Sequence, residues 1–247
     1  MYRVFLYDGT FEGFLTCAER ILSVDIDIEK LRIENKSTYQ PMFFDTAVFV
    51  NANKGISNML KERIIKKADK NTFKKIYYCF LSEVQNKEMY IYKYIKLVLK
   101  QGKKVKYFYH DDVVNFVEKV SKSVSREIGK YMGLMRFNES EDGLLYAQFE
   151  PVNDILVPIS YFFRGRLANF RWIIHDKKRG KLSFYENGRI RFLKKADLKT
   201  AFSNEDLLYQ NLWKTYFKTM TIEERKNLKL QRQNMPKKYW KYLTEKK

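Results

Sequence analysis

The chain contains few of the residues that build disulfide frameworks or zinc sites, and it has no long apolar run. Two cysteines, Cys17 and Cys79, and two histidines are distributed over 247 residues without the close spacing that either kind of site requires. No apolar stretch approaches the roughly 18 residues that cross a bilayer, and the first residues lack the apolar core of a signal peptide. We therefore expect a cytoplasmic protein without a cofactor, in which carboxylates would have to hold any metal ion.

Proline and glycine are also scarce, at four and ten residues. This scarcity excludes collagen-like, linker-like and disordered chains, whereas 45% hydrophobic and 16% aromatic residues suffice for a packed core. A chain of this length predicts a single α+β domain over residues 1–247. An internal division into a mainly helical part, 1–132, and a part with a β meander and C-terminal helices, 133–247, is the alternative.

Acidic residues are outnumbered, since 48 lysines and arginines face 29 aspartates and glutamates and the net charge is +19. Such a charge favours polyanionic partners, although an AT-rich genome also produces a lysine-rich composition. Most of the excess lies in residues 54–106 and 214–247, whereas more than half of the arginines lie between residues 126 and 191. Because the rigid guanidinium fork suits phosphate recognition, we expect a site that holds one phosphate in a fixed pose in the arginine-rich region.

The first half of the chain predicts helices around a short strand pair. Strands are expected at residues 3–7 and 46–50, and Thr10 is expected to cap a helix. Further along, apolar residues recur at helical spacing with lysines on the polar faces. A long helix begins near Asp111, and its regular apolar seam over residues 113–135 is expected to be buried against its neighbours. The run 107–110, Tyr-Phe-Tyr-His, is best suited to present an exposed ring to an unpaired base, with core burial as the favoured alternative.

The second half predicts a central antiparallel β meander followed by a helical C-terminus. Strands are expected at residues 134–137 and 144–149, and the meander is expected at residues 170–175, 181–186 and 189–193. A hairpin signal, Asp142-Gly143, joins the first two strands, and a short helix is expected at 154–163. Near the C-terminus, a capping-box sequence begins a helix that would carry one basic stripe, made by Arg225, Lys229 and Arg232.

Motifs along nearly the whole length resemble those of one bacterial protein family. They are the N-terminal Tyr7-Asp8-Gly9-Thr10-Phe11-Glu12-Gly13-Phe14-Leu15, the central Arg136-Phe137 and Trp172-Ile173-Ile174-His175-Asp176, and the C-terminal Met235-Pro236-Lys237-Lys238-Tyr239-Trp240. That family has no settled activity and is described as a DNA metabolism or DNA repair family. The resemblance implies a partner, a radical S-adenosylmethionine protein of DNA repair or modification, and similar domains are fused to uracil-DNA-glycosylase-like domains. This chain lacks the cysteine triad of such enzymes, so any iron–sulfur cluster would lie in the partner.

His175 and Asp176 are the candidates for catalysis, because a histidine that titrates near neutral pH and a neighbouring carboxylate can act as general acid and base. Adjacent strand residues point to opposite faces, so both serve one site only if the strand ends before Asp176. A structural histidine is the favoured alternative. Glu12, Asp142 and Asp176 could contribute to a magnesium site, but their spacing does not require one and we predict no metal site.

The candidate nucleic-acid contacts are basic residues of the arginine-rich region, of the tip at 177–179 and of the C-terminal region. They are Arg136, Arg164, Arg166, Arg171, Lys177, Lys178, Arg179, Arg225, Lys229, Arg232, Lys237 and Lys238. We expect a DNA-binding accessory protein of a repair or modification system that works with the radical-enzyme partner, with DNA favoured over RNA and no membrane partner. The alternatives are a nucleic-acid hydrolase that uses His175, Asp176 and arginines, such as a nuclease, phosphoesterase or glycosylase-like enzyme, and a protein–protein adaptor.

Overall fold

The computed structural model describes residues 2–24, 26–140, 143–194, 232–233 and 235–243. These residues form a mixed α+β protein, which confirms the predicted fold class. The chain divides into two compact units, residues 1–125 and 126–247.

Unit 1 combines a small parallel sheet with helices. Its elements are β1 (Tyr2–Tyr7), α1 (Phe11–Leu22), a 3-10 helix (Ile28–Lys30), β2 (Leu31–Asn35), β3 (Asp45–Phe49), α2 (Lys54–Lys67), α3 (Lys70–Phe80), α4 (Lys87–Gln101), a second 3-10 helix (Gly102–Tyr107) and the start of α5 (Asp112–Leu134). The sheet has the strand order β2-β1-β3 with both pairings parallel. The predicted strand pair is therefore wrong in number, since β2 adds a third strand.

The turn between β1 and α1 is closed by its own side chains. Thr10 Oγ1 accepts a hydrogen bond from Gly13 N at 2.9 Å, and Asp8 Oδ1 accepts one from Thr10 N at 2.9 Å. This confirms the predicted cap at Thr10. The turn therefore caps the helix, and the Asp8 carboxylate holds the capping residue in place.

The helices of unit 1 bury one face each and expose their lysines. Leu60 of α2 and Ile76 of α3 are fully buried, as the helical spacing predicts, whereas Met59 is largely exposed. Cys17 and Cys79 are buried, and burial raises the pKa of each thiol to about 12. Both cysteines are therefore apolar core residues with almost no thiolate at neutral pH.

The long helix α5 confirms the predicted apolar seam. Its buried residues include Val117, Val120, Val124, Ile128 and Tyr131. The preceding residue, Asp111, caps the helix, because its Oδ1 atom accepts hydrogen bonds from Val113 N at 2.9 Å and Val114 N at 3.0 Å.

Unit 2 is built on a five-stranded mixed sheet. Its elements after α5 are β4 (Asn138–Glu139), β5 (Leu145–Phe149), α6 (Leu156–Arg166), β6 (Trp172–Asp176), β7 (Lys181–Glu186), β8 (Arg189–Lys194) and a 3-10 helix (Lys237–Tyr242). The strand order is β4-β5-β6-β7-β8.

The predicted antiparallel meander is confirmed, because β6, β7 and β8 pair antiparallel in succession. Strand β5 runs parallel to β6, because α6 forms the crossover between them. The strand predicted at 134–137 is wrong, since α5 continues to Leu134 and the first strand consists of two residues, Asn138 and Glu139.

The predicted helices of the C-terminal region lie mostly outside the described residues. Of the basic stripe, Arg225 and Lys229 lie outside them, whereas Arg232 is described and exposed. Among the described residues, no helix combines the length and the apolar composition needed to cross a membrane.

Candidate nucleic-acid interface

The end of α6 and the loop that follows expose several of the predicted nucleic-acid contacts. Arg164 and Arg166 are exposed, and so are Tyr161 and Phe170, each with about half of its surface accessible at 52%. We call Tyr161, Arg164, Arg166, Phe170 and Arg171 the arginine patch. Cations interleaved with exposed rings are the usual composition of a nucleic-acid surface.

Backbone hydrogen bonds hold the arginine patch in place. Leu167 N donates to Phe163 O at 2.7 Å, and Phe170 N donates to Leu167 O at 3.2 Å. From β7, the hydroxyl of Tyr185 donates to Ala168 O at 3.0 Å. The loop that carries the arginines is therefore tied to the sheet, which lowers the entropic cost of ordering it on a ligand.

The guanidinium groups of the arginine patch differ in their partners. Arg164 lies 5.0 Å from the centroid of the Tyr161 ring. Within the described part of the chain, neither Arg164 nor Arg166 is paired with a carboxylate. Arg171 lies 4.0 Å from Glu186, which also lies 3.7 Å from Arg191. Arg164 and Arg166 are thus available to phosphates, whereas Arg171 shares the partly exposed carboxylate of Glu186 with Arg191.

The basic tip between β6 and β7 is only partly available to a ligand. Lys177 and Lys178 are exposed, and Lys178 Nζ donates to Val152 O at 3.3 Å. Arg179 points back into unit 2, where its Nη1 atom lies 3.0 Å from Asp176 Oδ2 and also donates to Pro151 O at 3.2 Å. Arg179 therefore serves the fold, whereas Lys177 and Lys178 are the exposed cations of the tip.

His175 and Asp176 do not form a joint acid–base pair. Strand β6 includes Asp176, so the two side chains project to opposite faces of the sheet. His175 is buried, and its Nδ1 atom is hydrogen-bonded to the Tyr146 hydroxyl at 2.9 Å. Asp176 is fully buried beside Arg179, and burial raises the pKa of its carboxyl while Arg179 opposes the rise. Both residues have the surroundings of structural side chains.

A buried carboxylate that the sequence reasoning missed holds the loop after β5. Glu127 of α5 accepts hydrogen bonds from Val152 N at 2.9 Å and Asn153 N at 3.0 Å, and Asn153 Nδ2 donates to it at 2.6 Å. Lys238 lies 3.6 Å from the same carboxylate. The one available signal was the position of Glu127 next to Ile128 on the apolar seam of α5. Lys238, a predicted nucleic-acid contact, is therefore engaged in this clamp.

The remaining predicted contacts are separated from the arginine patch in the sequence. Arg136 donates to the carbonyl oxygen of Gly133 at 3.1 Å, at the end of α5. Lys237 is exposed at the start of the C-terminal 3-10 helix, and Arg232 is exposed as well. Of the twelve predicted contacts, Arg164, Arg166 and Arg171 lie within eight residues of one another in the sequence, and all three are exposed.

The described residues offer no cluster of three or more side chains that could hold a metal ion. Glu12 belongs to α1 of unit 1 and Asp176 to β6 of unit 2, whereas Asp142 lies outside the described residues.

Comparison with known families gives a match over the second part of the chain. The model of a family described as a domain of unknown function, DUF4130, matches residues 85–245. This range covers about two thirds of the chain and includes α4, α5 and all the elements of unit 2. A search of curated proteins finds no significant match.

Proposed function

Because the chain belongs to the DUF4130 family, whose function is unknown, we propose its activity from the surface of unit 2: the protein binds DNA through the arginine patch. The observation that carries this proposal is the exposure of Arg164 and Arg166, neither of which has a carboxylate partner among the described residues. A buried or internally paired arginine, such as Arg179, would have to break its contacts before it could bind a phosphate. Arg164 and Arg166 have no such cost.

The proposed role is that of an accessory protein in DNA repair or modification. The resemblance in the N-terminal, central and C-terminal motifs supports this role, and it supports a radical S-adenosylmethionine protein as the partner. A cytoplasmic location belongs to the same proposal, since a bacterial chromosome is met there. In this proposal the partner carries out the chemical step of repair or modification, because the geometry of His175 and Asp176 favours structural roles.

Binding of a fluorescein-labelled DNA duplex, followed by anisotropy, tests the arginine patch. We expect Arg164→Gln/Arg166→Gln to weaken duplex binding about tenfold or more at moderate salt, because two charge-assisted contacts are lost. The matched control is Arg164→Lys/Arg166→Lys, which keeps both charges and removes the guanidinium fork. We expect intermediate affinity for it. Unchanged duplex binding by the glutamine variant would refute the arginine patch as the DNA site.

The partner is tested by co-purification from an extract treated with nuclease at high salt. Retention of the radical-enzyme partner together with salt-sensitive DNA affinity supports the accessory role. Retention of the partner by a protein with no DNA affinity even at low salt would instead identify a protein–protein adaptor and overturn the DNA-binding proposal.

A further inference from the structure

Unit 1 carries a second basic surface, remote in the sequence from the arginine patch. It is formed by the solvent face of α4 and by the 3-10 helix and turn that follow. We call it the lysine–tyrosine surface, and it consists of Lys93, Lys96, Lys100, Lys103, Lys104, Lys106, Tyr107 and Tyr109, all of them exposed. We propose that this surface binds single-stranded nucleic acid, with the two tyrosine rings stacking on unpaired bases.

The lysines of α4 form one continuous stripe. Lys93, Lys96 and Lys100 are spaced three and four residues apart, so they share one face of the helix. The opposite face is fixed by burial, since Ile91, Ile95 and Val98 are in the core. At a helical rise of 1.5 Å per residue, the stripe extends over about 10 Å, which is the length of one or two nucleotide steps.

The 3-10 helix extends this stripe. In a helix with three residues per turn, Gly102 and Val105 occupy the same side. Val105 is buried, and an ideal Cβ on Gly102 would lie only 2.8 Å from the backbone oxygen of Lys67. With that side packed against α2, Lys103, Lys104, Lys106 and Tyr107 are left on the solvent side.

The two tyrosine rings are exposed on a backbone that is held in place. Tyr107 is 60% exposed and Tyr109 is 67% exposed. Phe108 N donates to Val105 O at 3.1 Å, and Asn115 Nδ2 of α5 donates to Tyr109 O at 2.8 Å. Core burial, the favoured expectation for this run, is therefore wrong for both tyrosines. An aromatic ring held in solvent retains its apolar surface for a stacking partner.

The charges around the rings favour a polyanion. Among the residues that the structure describes, none of the six lysines is paired with a carboxylate, and Lys106 Nζ lies 4.9 Å from the centroid of the Tyr107 ring. Of the two carboxylates that follow, Asp111 is engaged in capping α5, and only Asp112 is exposed. The lysines supply phosphate contacts, and the rings supply a feature that a duplex cannot use, because paired bases are already stacked.

Anisotropy with a fluorescein-labelled oligothymidylate of about 15 nucleotides tests the proposal. We expect Tyr107→Ala/Tyr109→Ala to weaken binding roughly five- to tenfold for each ring removed, because base stacking is lost. The plot of log affinity against log salt keeps its slope, since no charge is removed. Tyr107→Phe/Tyr109→Phe, which keeps both rings, restores the affinity. Both tyrosines are exposed, so the variants should fold, and circular dichroism confirms that they do.

Three comparisons decide the outcome. Lys103→Gln/Lys106→Gln should lower the salt slope by about 0.7 for each lysine that contacts a phosphate of the single strand. A labelled duplex should bind the tyrosine variants and the wild type equally, and an oligouridylate that behaves like the oligothymidylate shows that the surface accepts both backbones. Wild-type affinity of Tyr107→Ala/Tyr109→Ala for the oligothymidylate would overturn the proposal. A separate result, unchanged duplex binding by Arg164→Gln/Arg166→Gln, would refute the arginine patch as the DNA site.

Discussion

At the scale of single residues, the effect of the Asp176–Arg179 pair on stability tests whether Asp176 has a structural role. Burial raises the pKa of the Asp176 carboxyl above its usual value, and Arg179 offsets that rise only in part. The ionised form of Asp176 is therefore less favourable in the folded protein than in the unfolded chain. Both oxygens of the carboxylate nevertheless accept hydrogen bonds from Arg179, Oδ1 from the backbone N–H and Oδ2 from Nη1.

We predict that Asp176→Asn lowers the free energy of unfolding by about 1–2 kcal/mol at neutral pH. The amide oxygen can still accept the hydrogen bond from Arg179 N, at 3.1 Å in the wild type, but the amide NH2 group cannot accept the second one, from Arg179 Nη1. Arg179→Met should instead cost about 3–5 kcal/mol, because it leaves a buried carboxylate without its partner. Urea unfolding of both variants measures these values. A large loss of stability in Asp176→Asn would show that the ionised carboxylate stabilises the fold.

The raised pKa of the Asp176 carboxyl also predicts a pH dependence of the free energy of unfolding. A carboxyl whose pKa is raised by folding favours the folded state while it is protonated, and this contribution is lost as the pH rises through the folded pKa. The stability of the wild type relative to Asp176→Asn should therefore decrease as the pH is raised from about 4. Urea unfolding of the two proteins at a series of pH values measures the difference. An increase with pH would mean that attraction to Arg179 outweighs desolvation.

At the scale of elements, two glycines on helices differ in the space around them, because one lies against a tight turn and the other lies on an open helix surface. An ideal Cβ on Gly13 of α1 would lie 2.1 Å from Asp8 Oδ1, whereas a Cβ on Gly129 of α5 meets nothing within 4 Å. The Asp8 carboxylate cannot simply move away, because it accepts hydrogen bonds from both the N–H and the hydroxyl of Thr10.

We predict opposite effects of alanine at these two positions. Gly13→Ala should destabilise the protein by about 1–2 kcal/mol, because the hydrogen bonds of the Asp8 turn are lost. Gly129→Ala should stabilise it by about 0.5–1 kcal/mol, since alanine replaces glycine in an exposed helix interior. Both values come from urea unfolding monitored by circular dichroism. Equal effects at the two sites would contradict the capping role of the turn.

The elements also show which parts of the fold local sequence signals can predict. The cap at Thr10 and the seam of α5 depend on residues three or four positions apart, and both are confirmed. Strand β2 was missed because it has only two buried apolar residues, Leu31 and Ile33, and pairs with β1 across α1. The parallel pairing of β5 with β6 likewise depends on a crossover through α6, which a hairpin signal does not describe.

The candidate site was predictable to a similar degree. Exposure of Arg164 and Arg166 follows from their place at the end of a helix whose other face is apolar. The inward orientation of Arg179 was not predictable, because its carbonyl acceptors belong to the loop at 151–152, which lies 27 to 28 residues earlier in the chain. Burial was the favoured prediction for Tyr107 and Tyr109, because aromatic residues are buried on average. Their exposure depends on the packing of Val105 and on the hydrogen bond from Asn115 to Tyr109 O, which hold the turn.

At the scale of the whole molecule, the question is whether nucleic-acid binding follows from the net charge of +19 or from particular surfaces. A general attraction would depend on the number of charges, wherever they lie. Lys36 and Lys54 offer a matched control for Arg164 and Arg166. Both lysines are exposed in unit 1, and Lys36 lies over the Phe49 ring as Arg164 lies over the Tyr161 ring. Lys54 begins α2, about 20 Å along the helix from the Lys67 end that contacts Gly102.

We predict that Lys36→Gln/Lys54→Gln leaves duplex affinity and its salt dependence unchanged within about twofold, although it removes as much charge as Arg164→Gln/Arg166→Gln. The arginine variant should lower the slope of log affinity against log salt by about 0.9 for each arginine that contacts a phosphate. Anisotropy titrations of the labelled duplex at several salt concentrations give both slopes. Equal losses in the two variants would show that total charge governs binding and that the arginine patch is not a site, because a site is defined by the position of its charges.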